Sequence, residues 1–495
     1  MDWVIWLILG IYIAVMAFIG IMSARKVKNL TSFIVGKREA GPWKSAFAYG
    51  TTYFSAVLFI GYAGKSGWDY GLWAVLIGLG NAIFGAWLAW KLLAERTRSV
   101  TRRMKIKTMP QLFEKRYNSK AMKVYAAVII FIFMTPYSAS VYSGLSYLCE
   151  NVLGINYQTA MAVIAIVAAV YLVLGGYLAS LTADFVQGIV MVGGIVAMIF
   201  FIMNSQQVGG ITEGISNLLE KMDEAGMDAT TPSFWIGLIG LIMLTSFGTW
   251  GMPQMVHKFY GIADKKSIKT GTIVSTVFCL VISVGAYFVG SLSRLFFEEV
   301  PSGNHDLIVP QILVQSLPTV LLGIVLVLVL SASVSTLSGI TLTSCSSITM
   351  DIISSVIFPK MSREKALVLT RVLCLVFIFF SYLIAVQQSP ILLLMSFSWG
   401  CISGSFLAPY ILGLYWKRMN KTGAWCGMIG GLIVAIVLTI ISKAVGLDSG
   451  MSAACGIAAM IASLIFCVIG TLLSKKPANS EAFFEAEAND GKAAK

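Results

Sequence analysis

Charged residues are scarce in this 495-residue chain. They occupy 12% of positions, against 57% for hydrophobic residues, and the mean hydropathy is +0.83. A soluble core does not need so much apolar surface, so the composition indicates an all-α polytopic membrane protein. The two histidines argue against a histidine-built metal or haem centre. The chain also lacks phosphate-binding glycine loops, nucleophile elbows and metal-ligand spacings, so no enzyme is predicted.

Cysteines and the N-terminal segment give no sign of secretion. The eight cysteines form no CxxC pair and lie in or at the ends of apolar segments, which is typical of small packing residues rather than of disulfides. The first apolar segment, Trp3–Ile21, is followed rather than preceded by basic residues and has no small-residue cleavage site. We therefore expect a retained helix there.

Thirteen apolar segments are long enough to cross a bilayer. If they alternate in direction, one set of loops holds every lysine and arginine except Lys65, Lys221, Arg294 and Lys443. The positive-inside rule makes that set cytoplasmic, with the N-terminus outside and the C-terminus inside a cell membrane. The net charge of +13 then reflects topology and contact with the anionic inner leaflet, not a nucleic-acid-binding face. The segments are Trp3–Ile21, Ala46–Ala63, Leu72–Trp90, Val124–Leu148, Tyr157–Leu174, Ala183–Met203, Phe234–Met255, Thr272–Leu292, Val320–Thr349, Leu367–Val386, Ile391–Tyr415, Trp425–Ile441 and Ser452–Leu473.

Two of these segments carry poor helix formers inside them. The Gly-Thr-Thr sequence at 50–52 predicts an unwound stretch, although ordinary packing of small residues explains it equally well. The sequence TSFGTWGMP, which ends at Pro253, predicts a second interruption. Interrupted helices at matching places in two halves are typical of a transporter binding site at an inverted-repeat interface.

The spacing of the interruptions leaves room for two repeats of five helices. We expect a peripheral helix and basic loop in 1–43, a first repeat in 44–204 and an external loop in 205–232. A second repeat in 233–416 and two peripheral helices in 417–474 follow, and the polar tail, 475–495, is predicted to be disordered.

The serine-rich stretch Ser331–Thr349, SASVSTLSGITLTSCSSIT, interrupts an otherwise apolar span. Most of its hydroxyls are explained by bonds to carbonyls of the preceding turn. Ser335 and Thr336 are adjacent, however, with Ala332 one turn earlier, so two hydroxyls and a carbonyl can point at one place. Hard cations prefer such oxygen ligands.

Two charged residues stand close to the apolar segments. Asp184 begins a predicted helix on the cytoplasmic side, where it caps the N-terminus or guides a departing cation. Lys65 stands at the outer end of Ala46–Ala63, where it anchors the span at the interface or attracts a substrate carboxylate and acts as a gate.

Four motifs resemble the sodium/solute symporter family, and their pattern is most similar to its sodium/proline branch. They are GGYLASLTADFVQ, HKFYGIADKKSI, SASVSTLSGITLTSCSSITMDI and SFSWGCISGSFLAPYILGLYWKRMNKTGAWCGMIGG. The resemblance implies a five-plus-five inverted-repeat core with Na⁺ bound between the first and eighth core helices. Its implied ligands are the carbonyls of Thr51, Phe54 and Ala332 and the hydroxyls of Ser335 and Thr336. Asp184 matches an acid on the ion's inward path.

The implied solute site departs from the proline branch. Its positions correspond to Val57, Tyr137, Thr245, Thr249 and Pro253, where only Tyr137 and Pro253 match that branch. Valine and two threonines replace aromatic residues, so we expect no aromatic box and a solute more polar than proline.

The predicted function is sodium-coupled symport of a small polar organic solute. Carboxylates and amino acids are the candidate solutes. Proton-coupled or facilitated transport on the same fold and a transporter-like sensor remain the alternatives. A membrane enzyme would need paired carboxylates, histidine clusters or a nucleophile–base set within the spans, and the sequence offers none.

Overall fold

A computed structural model describes residues 3–24, 34, 38–227, 229–446, 449–474 and 483–484, without the side chains of 23–24, 171–179 and 449–450. The described residues are helical apart from short connections and one bridge, Ala40–Ile262. The α-helices are Trp3–Ala24, Pro42–Tyr53, Ala63–Tyr70, Val75–Gly80, Glu95–Arg103, Met109–Tyr117, Lys120–Leu153, Tyr157–Met203, Ile211–Glu224, Pro232–Gly251, Pro253–Tyr260, Lys265–Cys279, Gly285–Ser291, Ser293–Phe296, Ile308–Ser316, Thr319–Ser347, Arg363–Ala385, Ile391–Tyr415, Lys421–Ala444 and Ser449–Leu473. Shorter π-helical and 3₁₀ segments are Val57–Tyr62, Gly71–Ala74, Asn81–Leu88, Trp90–Ala94, Leu280–Val284, Pro301–Gly303, His305–Leu307 and Ile348–Ile357.

The predicted number of thirteen spans is not confirmed. Within the described ranges, 11 segments are long and apolar enough to cross a membrane. One difference arises because the predicted spans Ala46–Ala63 and Leu72–Trp90 are joined. Val57–Arg103 is one continuous helical segment that begins within the first of them. The other arises because Tyr157–Met203 is helical over all its 47 residues, where two spans were predicted. Its apolar parts, Tyr157–Val170 and Ser180–Met203, correspond to those two predicted spans.

The helix Thr319–Ser347, called the serine-rich helix below, lies at the centre of the molecule. It packs against Tyr157–Met203, Lys120–Leu153 and Pro42–Tyr53, and almost all of its residues are buried. Trp3–Ala24 lies at the periphery, and large apolar side chains such as those of Trp3 and Phe18 remain exposed. Apolar residues on the outside suit hydrocarbon, while the polar residues of the serine-rich helix face other helices.

Both predicted interruptions are present. The first interrupted helix, Pro42–Tyr53 followed by Val57–Tyr62 and Ala63–Tyr70, breaks because Phe54 is extended, with φ −109° and ψ 137°. The predicted position of this break, 50–52, is wrong. Gly50 is helical, and its missing side chain makes room for the ring of Phe278, which a Cβ would approach to 2.2 Å.

The second interrupted helix consists of Pro232–Gly251 and Pro253–Tyr260. It breaks at Met252, whose φ of −79° and ψ of 120° are extended. This position agrees with the prediction, because a residue before proline is disfavoured in the α conformation. In each interrupted helix an extended residue, Phe54 or Met252, therefore separates the helical segments.

Two residues of the polar tail contact the folded part of the chain. Phe483 and Phe484 are 2% and 8% exposed. Arg103 donates a hydrogen bond to the Phe483 carbonyl at 3.2 Å, and the Arg116 guanidinium lies 5.4 and 5.1 Å from the two ring centroids. For these two residues the prediction of a disordered tail is wrong. The rest of the tail lies outside the described residues.

Close helix crossings depend on glycines beside the first interrupted helix. A Cβ on Gly67 would lie 2.0 Å from the Gly290 backbone, and a Cβ on Gly290 would lie 1.9 Å from the Ala63 carbonyl oxygen. Small residues allow helix backbones to approach in this way within membranes. Ala63–Tyr70 and Gly285–Ser291 therefore cross in backbone contact.

We expect Gly290→Ala to destabilise the protein, because the added methyl group forces the two backbones apart. The loss should be on the order of 1–3 kcal/mol, measured as a lower apparent melting temperature in detergent. Gly193→Ala is the control, since a Cβ there meets nothing within 4 Å. Alanine also favours helix, so this control should be neutral or slightly stabilising. An unchanged melting temperature for Gly290→Ala would contradict the close crossing.

Candidate functional site

The hydroxyl of Thr336 faces four backbone carbonyls. Its Oγ1 lies 3.0 Å from the carbonyl oxygen of Ala332, 3.2 Å from that of Thr52, 3.3 Å from that of Phe54 and 3.4 Å from that of Thr51. A hydroxyl carries one proton and can donate to only one of them at a time. Four carbonyls therefore share one hydroxyl donor here, and a bound cation can complete such an arrangement.

Ser335 extends this group of oxygens. Its Oγ donates to a carboxylate oxygen of Asp184 at 2.7 Å and lies 3.1 Å from Thr51 Oγ1 and 3.4 Å from Thr52 Oγ1. The structure therefore brings together all five residues of the implied ion site, together with Asp184. Thr52 was missed because no carbonyl in the broken segment stands out in the sequence.

Asp184 forms a buried ion pair. Its Oδ2 lies 3.0 Å from Nζ of Lys258, and the two side chains are 0% and 4% exposed. The capping role considered for Asp184 is wrong, because the residue lies inside the helix Tyr157–Met203 and not at its start. Lys258 belongs to Pro253–Tyr260 and was missed. Its only sequence signal is one charge in a largely apolar run.

Four helices bring these groups to one place. The first interrupted helix contributes Thr51–Phe54, Tyr157–Met203 contributes Asp184, Pro253–Tyr260 contributes Lys258, and the serine-rich helix contributes Ser335 and Thr336. The break at Phe54 turns several carbonyls towards the serine-rich helix. Within the described ranges, no cluster of three or more His, Cys, Asp or Glu side chains could hold a metal ion. The ligands offered are therefore neutral oxygens with one carboxylate behind them.

A small cavity lies next to the break at Phe54. The cavity volume is about 20 Å³, which is room for roughly one water. Val57, Tyr137 and Thr245 line it, as the resemblance implied, whereas Thr249 and Pro253 do not. Six aromatic residues line it: Tyr53, Phe54, Tyr62, Tyr137, Tyr287 and Trp399.

The expectation that the chain has no aromatic box is therefore wrong. Val57, Thr245 and Thr249 stand where the proline branch has aromatic residues. Other aromatic side chains line the cavity in their place. Tyr53 and Phe54 stack with centroids 4.4 Å apart, and Tyr137 meets Trp399 edge to face at 5.6 Å. The sequence could not reveal this, because nothing in it shows that Tyr287 and Trp399, 112 residues apart, line one cavity.

The two threonines expected to face the solute use their hydroxyls elsewhere. Thr245 donates to the Leu241 carbonyl at 2.7 Å and lies 2.8 Å from Asn81 Oδ1, and Thr249 donates to the Ser246 carbonyl at 2.7 Å. Threonines in helices commonly bond to the preceding turn in this way. The argument for a polar solute from these two hydroxyls therefore fails.

Other polar groups of the cavity are better placed to bind a solute. The Trp399 indole N–H is buried and has no hydrogen-bond partner among the described residues, and the Tyr287 hydroxyl is buried beside Asn81. A buried donor left without a partner costs about 1–3 kcal/mol. Asn81 also lines the cavity and is 1% exposed. These donors were missed because Tyr287 and Trp399 resemble ordinary apolar core residues in the sequence.

Contacts between helices close the cavity on one side. Tyr62 Oη lies 2.9 Å from Ser396 Oγ, which joins the first interrupted helix to Ile391–Tyr415. Lys65 lies a turn beyond Tyr62 and does not line the cavity. Its ammonium pairs with Asp69 at 2.7 Å, and Lys65 is 9% exposed. The Lys65 ammonium is therefore paired within its own helix and is not among the groups that line the cavity.

Comparisons with known proteins agree with this architecture. The model of the "Sodium:solute symporter family" matches residues 33–431. The osmoregulated proline transporter OpuE of Bacillus subtilis (strain 168) is 28% identical over 432 residues, 86% of each chain. The sodium/pantothenate symporter of Escherichia coli (strain K12) is 27% identical over 439 residues, 86% of this chain and 88% of the relative.

Solved structures share the fold. The substrate-bound, outward-open state of a Na⁺-coupled sialic acid symporter superposes with a TM-score of 0.77 at 18% identity, covering 96% of this chain and 98% of that one. The nucleobase-cation symporter MHP1 gives a TM-score of 0.50 at 14% identity, with 91% and 98% covered.

The family match spans most of the chain, and the fold contains the two interrupted helices around which the oxygen ligands and the cavity are arranged. This chain therefore belongs to the sodium:solute symporter family, as a multi-pass membrane protein that transports a small solute with sodium as the coupling ion.

Proposed function

We propose that this symporter carries a small solute that has a carboxylate and a compact apolar body. The observation that supports the carboxylate is the pair of buried donors, the Trp399 N–H and the Tyr287 hydroxyl, on an aromatic cavity. An indole N–H can only donate, so the solute must supply acceptor oxygens. The aromatic rings provide an apolar surface for the remainder of the solute.

The solutes of the relatives have the same chemistry. Proline, pantothenate and sialic acid, named for the relatives and the structural neighbour, each carry a carboxylate. They differ in the rest of the molecule, which agrees with a shared acceptor group and variable cavity walls. The expectation of a solute more polar than proline loses its support, because six aromatic residues line the cavity. Proline belongs among the solutes to be tested.

We further propose that the sodium ligands are the carbonyls of Thr51, Phe54 and Ala332 and the hydroxyls of Ser335 and Thr336. The convergence of four carbonyls on the Thr336 hydroxyl supports this set. Unwound carbonyls commonly coordinate sodium in transporters with interrupted helices. Asp184, directly behind Ser335, then lies on the path by which the ion leaves.

Phe54 supplies the physical link between ion and solute. Its carbonyl oxygen lies 3.3 Å from Thr336 Oγ1, while the residue also lines the cavity. Sodium that binds this carbonyl fixes the backbone of Phe54 and with it one wall of the solute site. By linkage, each ligand then raises the affinity of the other.

The proposed orientation has the N-terminus outside and the tail in the cytoplasm. The loops predicted to be cytoplasmic contact one another: Arg98 donates to the carbonyls of Ile262 and Ala263, and Arg116 to that of Gly413. The exceptional cations Lys65 and Arg294 lie elsewhere, near Trp68 and Asp69. The positive-inside rule gives the side, and the basic face then meets the anionic inner leaflet. The proposed inverted repeats occupy 44–204 and 233–416.

Replacing Ser335 or Thr336 with alanine should weaken sodium activation of uptake, because each change removes a ligand oxygen. A loss of about 1–3 kcal/mol corresponds to a roughly 5- to 150-fold higher sodium requirement, measured as half-maximal activation in proteoliposomes. Ser338→Ala is the control. It lies on the same helix, but its hydroxyl donates to the Val334 carbonyl instead. Wild-type sodium activation in both site variants would rule out the ligand set.

The solute proposal predicts the effects of removing single donors. Trp399→Phe and Tyr287→Phe keep an aromatic ring and should each raise the KM for a carboxylate solute about 10-fold or more, since a hydrogen bond to a charged group contributes about 1.5–3 kcal/mol. Tyr142→Phe is the control, because that hydroxyl is also buried but does not line the cavity.

The measurement is uptake of labelled proline, pantothenate and other small carboxylates, with and without an inward sodium gradient. Each substrate is compared with its primary amide, which lacks the negative charge. Preference for the acid over the amide, lost in Trp399→Phe, is expected. Equal uptake of acid and amide by the wild type would contradict the carboxylate proposal without affecting sodium coupling.

A further inference from the structure

The ion pair between Asp184 and Lys258 is separated from the proposed sodium site by one hydrogen bond. Asp184 Oδ1 accepts from Ser335 Oγ at 2.7 Å, and its Oδ2 faces the Lys258 ammonium at 3.0 Å. The side chains of Asp184 and Lys258 are 0% and 4% exposed. A buried pair of this kind resists loss of either partner, because the remaining charge is left uncompensated.

The break in the second interrupted helix allows the lysine to reach this position. Pro253–Tyr260 is a separate short helix, and all eight of its residues are buried. Lysine is rarely buried completely unless it is paired. Two interrupted helices thus meet at one carboxylate, with Lys258 approaching from the second and the ligand oxygens from the first.

The charges of the site decide what the lysine does. Asp184 and Lys258 together are neutral, so a sodium ion held by Ser335 adds a second positive charge beside a single carboxylate. Charges this close interact strongly inside a protein, where the effective dielectric constant is far below that of water. The ammonium and the sodium ion therefore compete for the same negative charge.

We infer that Lys258 is a tethered competitor of sodium, a role that rests on the proposed sodium site. When sodium leaves, the ammonium alone neutralises Asp184, so release does not leave a bare carboxylate in the core. When sodium binds, the attraction between Lys258 and Asp184 weakens. Lys258 belongs to the second interrupted helix. Sodium bound by the first interrupted helix therefore weakens a contact of the second.

Direct sodium binding to purified protein, measured with radioactive sodium and in the absence of solute, tests this role. Lys258→Met keeps the length of the side chain and removes the charge, so the sodium Kd should fall about 10-fold or more and dissociation should slow. Lys258→Arg keeps the charge and should remain near the wild type. An unchanged or higher Kd in Lys258→Met would overturn the inference and leave Lys258 as a residue that positions Asp184.

A double variant decides the question even if Lys258→Met does not accumulate. Asp184→Asn leaves the lysine charge unbalanced and should raise the sodium Kd. Adding Lys258→Met to Asp184→Asn should restore much of the affinity if the two cations compete. If the lysine only positions the carboxylate, the double variant binds sodium no better than Asp184→Asn, which would overturn competition.

Sodium binding by Ser335→Ala distinguishes failure of this inference from failure of the proposed sodium site. Weaker sodium binding in Ser335→Ala, without tighter binding in Lys258→Met, overturns only the role of the lysine. Unchanged sodium binding in Ser335→Ala overturns the sodium site and the inference together. Tighter binding in Lys258→Met with weaker binding in Ser335→Ala supports both.

Discussion

Backbone carbonyls that no helix uses are the feature on which this site depends. The extended conformation of Phe54 ends one helix and leaves the carbonyls of Thr51, Thr52 and Phe54 directed at the Thr336 hydroxyl. Unsatisfied carbonyls are tolerated at membrane depth only where protein or a ligand surrounds them. The serine-rich helix supplies that surrounding, and Ser333 also accepts the Ala56 N–H at 3.0 Å. The break and the helix opposite it therefore form one structural unit.

The sequence predicts those parts of the site that depend on neighbouring residues. Ser335 and Thr336 are adjacent, and Pro253 marks its own helix break, so local chemistry identified both. The first break was placed at 50–52 because glycine was interpreted as a helix breaker. In the structure, Gly50 serves the packing of Phe278 instead, and the break falls after it.

Parts that depend on distant contacts could not be predicted in this way. Lys258 and Asp184 are 74 residues apart, and Thr245 and Asn81 are 164 apart. Only the fold shows that the lysine is buried and paired. Val57, Tyr137 and Thr245, carried over from the resemblance, line the cavity, but the Thr245 and Thr249 hydroxyls bond to their own helix. The aromatic residues that line the cavity include Tyr287 and Trp399, which were not among the positions that the resemblance implied.

The short contact made by the tail has an energetic consequence for movement on the basic face. Arg116 joins the helix Met109–Tyr117 to the carbonyls of Gly413, Trp416 and Met419, and the two phenylalanines cover it. A rearrangement that separates these carbonyls from Arg116 also disturbs the aromatic cover. Burying a phenylalanine stabilises by about 1.5–3 kcal/mol, so exposing both rings opposes the movement by roughly 3–6 kcal/mol. The burial of Phe483 and Phe484 therefore favours the arrangement of Arg116 and its carbonyls that the structure shows.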